Sequence, residues 1–564
     1  MKTTKKIVCL TLALIMAGLA FVMPVSAAKA VPLIMINGIG STKLYKNFGT
    51  EEEELVFSGD EAFIEGIIKD VGGAFLGGLV SFGIGNKDFD ALADKLLPAV
   101  NVYLADLGFN PDGTPVNETI GYYSTTKPVS EYTEEEKAGL STFALAYAEK
   151  HGEENVYNFT YDWRADPIEN AKLLNEFIST VKANTNSKKV NMVAMSQGST
   201  VALAYLNAFG GHHLKNIVFA APAWQGTGTV GDVFTNNLEL DAFTLENYLV
   251  QLANGSATTH IAAFIISFIA TYDGLTREYL GDLNEFVTGI LPRTYTDSLI
   301  PYFVGMPGMW SLCPAEDYEA GKEFLFDSHG LEIDPAYEAK IDAYHEIQVN
   351  AKTIVEKVMA DGANFYIVCG YNCQMPPISN EYESSDAVIE TRYMSGGATC
   401  AKYLQSNKDW GKIYTQKIKD GHNHVSWDAK VDASTCMFPE YTWFIKNQQH
   451  NNYSLENGSM DIVLWLLGSN ERVTVTTDVE NYPQFWLHNT YKRTTKPMPV
   501  DEVLGDVDTS GAVNTLDARV ALKLASGQIT ASEAQLLIGD IDEDGEFSTA
   551  DARSILCIAA GVDY

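Results

Sequence analysis

The stretch that decides the fold covers residues 189–199 and reads KVNMVAMSQGS. Its first half is a short apolar run, as in a strand buried on both faces, and residues 200–209 continue as a helix pattern. Ser196 therefore lies at a strand-to-helix turn, with the small residues Ala194 and Gly198 two positions before and after it. This pattern indicates a nucleophile elbow, whose sharp turn lifts a serine hydroxyl clear of the sheet. A serine that simply caps the helix is the alternative.

Strand and helix patterns alternate on both sides of this turn. Apolar runs predict strands at residues 31–36, 155–161, 189–195, 216–222, 364–370 and 441–446, and helical spacing predicts helices at 168–182 and 200–209. Such alternation favours an α/β fold with a parallel sheet covered on both faces.

The charge balance excludes one broad class of function. The 564 residues include 39 Lys and Arg against 73 Asp and Glu, which gives a net charge of −34 at pH 7. A surface this acidic repels phosphate backbones, so we expect no nucleic-acid partner.

The amino terminus predicts export. A positive start with Lys2, Lys5 and Lys6 precedes an apolar run, and small residues suited to cleavage end near Ala28. We therefore expect residues 1–28 to be a signal peptide and the mature protein to be secreted. Since no later apolar run reaches the length of a membrane span, we also expect the mature protein to be soluble. Export permits disulfides, but the sequence gives no pairing for the six remaining cysteines.

The carboxyl terminus carries an acidic repeat. Residues 505–511 read GDVDTSG and residues 539–545 read GDIDEDG, and each copy continues into a helix pattern. A twelve-residue calcium loop takes ligands from positions 1, 3, 5, 7, 9 and 12, with Gly at position 6. The predicted ligands of two Ca²⁺ ions are Asp506, Asp508, Ser510, Ala512, Asn514 and Asp517 in the first loop, and Asp540, Asp542, Asp544, Glu546, Ser548 and Asp551 in the second.

Two such loops in register resemble the type I dockerin, the module that attaches secreted bacterial enzymes to cohesins of a cellulosome scaffold. The resemblance covers residues 504–564, behind a predicted linker at 494–503, and implies a small all-α calcium-binding domain. It also implies that the cohesin contacts are Thr515, Leu516, Leu522, Lys523, Thr549, Ala550, Leu556 and Cys557.

The module before the linker, residues 31–493, resembles the lecithin:cholesterol acyltransferase family of α/β-hydrolases. The motifs that carry the resemblance are Asn37-Gly38-Ile39-Gly40-Ser41, Tyr161-Asp162-Trp163-Arg164, the residues 194–198 around the serine, Ala220 to Trp224, and Met306 to Pro314. The resemblance implies an ester hydrolase or O-acyltransferase that needs no cofactor for catalysis. It also implies that the backbone amides of Ile39 and Gln197 form the oxyanion hole.

The remaining catalytic residues follow from the order serine, acid, histidine on this fold. His450 comes at the exit of the last predicted strand, where the base has to lie. Asp428 resembles the family's Asp-x-Thr-Val pattern, and Asp420 is the alternative acid. The sequence thus predicts a Ser196, Asp428, His450 triad. A zinc site at His422 and His424 is disfavoured because no further ligand has suitable spacing.

Two apolar insertions, residues 63–85 and 261–270, are predicted to form either a cap or mobile lid that presents apolar surface to an acyl chain, or the buried core of a cap that binds no ligand. The substrate class stays open between a lipid ester and acyl groups on plant cell-wall polysaccharide. A catalytically inactive binding subunit of the scaffold is the alternative of another class.

Overall fold

The computed structural model describes residues 30–60, 88–238, 288–376, 383–403, 420–428, 430–489, 493–498, 504–508, 513–531, 533–542 and 546–560, with scattered positions at 63–74 and 416–418. The predicted signal peptide, the insertion at 261–270 and most of the insertion at 63–85 lie outside the described residues. None of the described helices is long and apolar enough to cross a membrane.

One eight-stranded sheet organises the chain. Its strands are β1 (Leu33–Ile36), β2 (Val156–Phe159), β3 (Val190–Ser196), β4 (Leu214–Pro222), β5 (Asn364–Tyr371), β6 (Thr442–Lys446), β7 (Phe485–Asn489) and β8 (Thr494–Pro497). They lie in the order 2-1-3-4-5-6-7-8, and every neighbouring pair is parallel except β7 and β8. The prediction of an α/β fold with a largely parallel sheet is confirmed, and this architecture is compatible with the α/β-hydrolase fold.

Short two-stranded ribbons lie outside the sheet. Leu44–Lys46 pairs with Glu54–Phe57, Cys373–Gln374 with Ser384–Ser385, and Thr399–Cys400 with Val431–Asp432.

Helices cover the sheet and form the carboxyl-terminal module. They are α1 (Phe89–Leu104), α2 (Glu134–Ala138), α3 (Thr142–His151), α4 (Pro167–Thr185), α5 (Gly198–Phe209), α6 (Gly228–Thr235), α7 (Ile300–Tyr302), α8 (Pro307–Trp310), α9 (Tyr318–Leu325), α10 (Pro335–Val349), α11 (Ala351–Ala360), α12 (Thr391–Ser395), α13 (Met460–Gly468), α14 (Thr515–Ala525), α15 (Glu533–Gly539) and α16 (Thr549–Ala560).

The sheet has its topological switch between β1 and β3. From β1 the chain moves outward to β2, and then returns to the other side of β1 as β3. In parallel α/β sheets, ligands bind at such a switch, outside the carboxyl ends of the strands. The loop after β1 and the turn at Ser196 both lie there. The first five residues of β3 are buried, as expected for a strand covered on both faces.

The predicted linker boundary is wrong. Residues 494–497 are strand β8, which pairs antiparallel with β7, and Met498 is 3% exposed and packs into the main core. The sheet therefore extends to residue 497, because the chain after β7 turns back and pairs antiparallel with it. What remains of the predicted linker, 499–503, lies outside the described residues.

The carboxyl-terminal module has an apolar cluster of its own, which we name the tail cluster. It consists of Val507, Ala518, Ala521, Ile538, Ala552 and Ile555. Helices α14 and α16 begin directly after the two repeat sequences and pack against each other.

Candidate active site

Ser196 has the strained backbone of a nucleophile elbow. It is the last residue of β3 and has φ of 52°, in the left-handed region that a non-glycine residue rarely adopts. The turn is tight, since a Cβ on Gly198 would lie 2.4 Å from the carbonyl oxygen of Ile36. A glycine is required there for the helix α5 to start against β1.

The loop after β1 lies directly against this serine. A Cβ on Gly38 would lie 2.5 Å from Cβ and 2.8 Å from Oγ of Ser196, and 3.5 Å from the backbone nitrogen of Gln197. Gly38 therefore has to be glycine for the two turns to meet. Ile39, the next residue, is 42% exposed. The structure thus brings together the loop of Ile39 and the backbone of Gln197, the two predicted oxyanion donors.

His450 is paired with an aspartate that the sequence did not predict. Its Nδ1 lies 2.7 Å from Oδ2 of Asp386, and its backbone nitrogen donates to the carbonyl oxygen of Asp386 at 2.8 Å. The other carboxylate oxygen, Oδ1, accepts from the backbone nitrogens of Val388 and Ile389. Both carboxylate oxygens are thus engaged. In a catalytic triad, a carboxylate at Nδ1 orients the imidazole so that its other nitrogen, Nε2, can act as the base.

The prediction that Asp428 orients His450 is wrong. Asp428 Oδ1 accepts from the Ser426 hydroxyl at 2.6 Å, and its Oδ2 lies 3.3 Å from Nζ of Lys446. The cause is that residues 425–428 and 430–432 belong to a separate hairpin, in which Asp428 pairs with Lys446 at the end of β6. The Asp-x-x-Val pattern identified that hairpin.

The alternative acid, Asp420, has a different partner as well. Its Oδ2 lies 3.1 Å from Nε2 of the buried His424, whose Nδ1 lies 2.9 Å from Oε1 of Gln484. Burial lowers the pKa of the neighbouring His422. Among the described residues, no histidine belongs to a group with metal-binding geometry.

One signal in the sequence could have identified Asp386. The acid has to follow a late strand, and Asp386 is the first aspartate after β5. Position in the fold would have selected it, whereas the short motif selected Asp428. Ser196 is the last residue of β3, and Asp386 and His450 follow β5 and β6. The carboxyl ends of these parallel strands lie at the same end of the sheet.

The side chain of Gln197 ties the elbow to two other segments. It is 1% exposed, and its Nε2 donates to the carbonyl oxygen of Trp163 at 2.8 Å and to that of Gly308 at 3.0 Å. Gly308 in turn donates its backbone N–H to the carbonyl oxygen of Arg164. The Tyr-Asp-Trp-Arg and Met-Pro-Gly-Met-Trp motifs therefore converge behind the serine.

An ion pair between a buried arginine and a partly buried aspartate holds the first of these motifs in place. Arg164 is 2% exposed and meets both oxygens of Asp162, through Nε at 3.0 Å and through a terminal nitrogen at 2.7 Å. The other terminal nitrogen donates to the carbonyl oxygen of Leu107. Such a bidentate pair holds the chain rigidly where Trp163 accepts from Gln197.

The two acidic repeats each gather three carboxylates. One oxygen from each of Asp506, Asp508 and Asp517 lies within 4.8 Å of the others, and Asp540, Asp542 and Asp551 form the second group. Burial, together with the charges of Asp508 and Asp506, raises the pKa of Asp517. Asn514, Glu546 and Ser548 are also described, whereas Ser510, Ala512 and Asp544 lie outside the described residues.

The predicted cohesin contacts lie on the outer faces of α14 and α16. Of these eight residues, Thr515, Leu516, Leu522, Lys523, Thr549, Ala550 and Leu556 are exposed and Cys557 is partly exposed. Leu516, Leu522 and Leu556 are 48%, 52% and 47% exposed, so apolar side chains face solvent on this small module.

Residues 124–216 match the lipase (class 2) family. The matched stretch contains β2, β3 and Ser196, and it indicates an ester hydrolase. A comparison with curated proteins finds no match. Among solved structures, the chain is similar to one in the crystal structure of the Tle4–Tli4 complex, with 12% identity over 60% of this chain and 74% of that chain. The TM-score of 0.21 is too low to establish a common fold.

Proposed function

We propose that the protein is an exported serine ester hydrolase in which Ser196, His450 and Asp386 form the catalytic triad. The observation that carries this proposal is the 2.7 Å contact between His450 Nδ1 and Asp386 Oδ2 at the edge of the sheet where Ser196 adopts its strained elbow. The match to the lipase (class 2) family supports the reaction class.

Each residue has a defined role in this reaction. His450 Nε2 removes the hydroxyl proton of Ser196 as Oγ bonds to the ester carbonyl carbon. The amides of Ile39 and Gln197 donate to the resulting oxyanion. His450 then gives the proton to the leaving alcohol as the carbon–oxygen bond breaks, and water or a second alcohol releases the acyl group. Asp386 stabilises the imidazolium throughout.

The class of substrate is proposed to be a lipid ester. The lipase match supports it, and so does the resemblance of the motifs to the lecithin:cholesterol acyltransferase family. Acyl groups on plant cell-wall polysaccharide are the second candidate, favoured by the dockerin-like repeat. Parallel assays with short-chain and long-chain acyl esters and with acetylated xylan separate the two.

We also propose that the module of residues 504–564 is a calcium-dependent dockerin that binds a cohesin of a cellulosome scaffold. The donor set fits calcium, because it consists of hard oxygen ligands and because three carboxylates this close repel one another without a cation. Asp506, Asp508 and Asp517 would hold one ion, and Asp540, Asp542 and Asp551 the other.

One experiment separates the enzyme from an inactive binding subunit. A fluorophosphonate probe should label wild-type protein at Ser196, and should fail to label Ser196→Ala. The matched control is Ser199→Ala, a buried serine three residues away whose hydroxyl donates to the carbonyl oxygen of Ser196. Wild-type protein that is folded but unlabelled, and that hydrolyses no acyl ester, would refute the proposed activity.

A further inference from the structure

Trp427 packs against two hydrophobic cores at once. It is partly buried against the main core of the sheet module, and it is also partly buried against the tail cluster of the carboxyl-terminal module. Its indole N–H is buried and donates to no described residue, so its contact with the tail cluster is apolar. The carboxyl-terminal module is therefore seated on the catalytic module.

The hairpin that presents Trp427 is well braced. Ser426 donates its backbone N–H to the carbonyl oxygen of Val431 at 2.9 Å, and Val425 bridges to Asp432. The Lys430 ammonium donates to the side-chain oxygen of Asn372, directly after β5. A rigid hairpin can transmit a contact on Trp427 to the sheet.

The hairpin is linked to the strand that leads to His450. Nζ of Lys446 lies 5.3 Å from the centre of a Trp427 ring and 3.3 Å from Asp428 Oδ2. The Lys446 and Asp428 side chains are 3% and 0% exposed, so this ion pair is shielded from water and depends on the packing around it. Lys446 is the last residue of β6, four positions before His450.

We propose that Trp427 is the docking residue for the carboxyl-terminal module, and that calcium thereby regulates the catalytic module. When calcium folds residues 504–564, the tail cluster covers Trp427 and stabilises the hairpin 425–432 and the end of β6. This inference rests on the proposed calcium loops.

The chemistry of the two surfaces supports this pairing. A module of about 60 residues has little apolar area to bury by itself. Six of its described residues form the buried core, so an external tryptophan adds substantially to the apolar contact. In the unfolded module Trp427 would face water. Coupling between two equilibria is reciprocal, so docking on Trp427 must also favour the calcium-bound fold.

Reciprocity gives a test that does not rely on enzyme activity. Calcium is titrated into the full-length protein while hydrogen exchange is followed in two segments, α14 and the hairpin 425–432. In the wild type, calcium should slow exchange in both segments with one midpoint. Trp427→Ala should abolish the protection of the hairpin and raise the calcium midpoint of α14 on the order of tenfold.

A matched control is available in Trp465. It stacks on Tyr482 at 4.3 Å within the sheet module and packs against the main core alone. Trp465→Ala should destabilise the sheet module and leave the calcium midpoint of α14 unchanged. The wild-type titration needs no variant, so the test survives a Trp427→Ala protein that fails to fold.

Docking and calcium binding can fail separately. If calcium protects α14 but leaves exchange in the hairpin unchanged, the docking proposal is overturned. If calcium does not protect α14 at all, the calcium loops are refuted, and docking is then judged without metal. In that case it stands if Trp427→Ala speeds exchange in α14, and it falls if exchange there is unchanged.

Discussion

Nδ1 of His450 and Oδ2 of Asp386 lie 2.7 Å apart in a buried site, with His450 7% and Asp386 0% exposed. This relationship replaces the Asp428 pairing that the sequence predicts. Since the carboxylate fixes the tautomer and orientation of the imidazole, its removal should affect the chemical step directly.

Asp386→Asn should lower kcat by about 10⁴-fold with little change in the fold, because the amide no longer stabilises the imidazolium. Asp428→Asn should leave the kcat of the folded enzyme nearly unchanged and lower the melting temperature, since it weakens the buried pair with Lys446. Ester turnover and thermal unfolding of both variants are the measurements. A large kcat loss in Asp428→Asn with none in Asp386→Asn would restore the original assignment.

Gln197→Met should lower kcat by roughly 10- to 100-fold at nearly constant KM, because the backbone amide beside Ser196 loses its support from Trp163 and Gly308. The control is Gln225→Met, which removes a partly buried amide that donates to the carbonyl oxygens of Trp224 and Gln348, each at 3.3 Å. Equal kinetic effects in both variants would show that Gln197 has only a structural role.

Glu390 should make stability depend on pH. It accepts from the backbone N–H of Gly228 at 3.0 Å, and burial raises its pKa to about 7. Because the folded pKa exceeds the unfolded one, its stabilising contribution is complete below about pH 4.5 and is lost as pH rises to about 7. Relative to Glu390→Gln, the wild type should lose about 3 kcal/mol of unfolding free energy over this range. Urea unfolding of both proteins at pH 4.5, 6 and 8 measures their free energies of unfolding. If these free energies change with pH to the same extent in both proteins, the prediction is wrong.

Chelation should unfold the carboxyl-terminal module selectively. Binding free energy at the acidic loops becomes folding free energy, so without calcium α14 and α16 should lose helical circular dichroism and hydrogen-exchange protection. Asp517→Asn should reproduce the effect in the presence of calcium. Asp517 is fully buried, and its two carboxylate oxygens accept hydrogen bonds from the backbone N–H groups of Asp508 and Asn514 in its own loop. Asp420→Asn, an acid outside the loops, is the control. Full protection of α14 in a chelator would contradict the calcium proposal.

Cohesin binding should have one preferred orientation. The exposed residues Leu516 and Lys523 of α14 correspond to Ala550 and Cys557 of α16, so the two faces are not equivalent. Double substitutions in each helix should weaken cohesin binding very unequally in calorimetry. Equal losses would show that both faces bind.

The strands of the sheet could be predicted from sequence because they are continuous apolar runs between turn residues, as β3 and β5 show. Ser196 carries a local signal as well, since its turn needs small residues at fixed positions. Asp386 has no local motif of this kind, and only its position after a late strand points to it. Its role depends on how the chain returns from β5 through an irregular segment, and irregular connections leave no periodicity to detect. The contact of Trp427 with the tail cluster could not be predicted from the sequence either, because it joins residues that are far apart in the chain.

Strand β8 also decides how the catalytic module can be separated from its tail. It is one of the two edge strands of the sheet, it has only four residues, and it contains Lys496 and Pro497. These features discourage pairing with another molecule. A chain that ends before residue 494 would lack β8, so β7, which contains Phe485 and Trp486, would become an exposed edge strand. Such a protein should aggregate through edge-to-edge strand addition. A protein that ends after residue 498 retains β8, which covers the edge of β7.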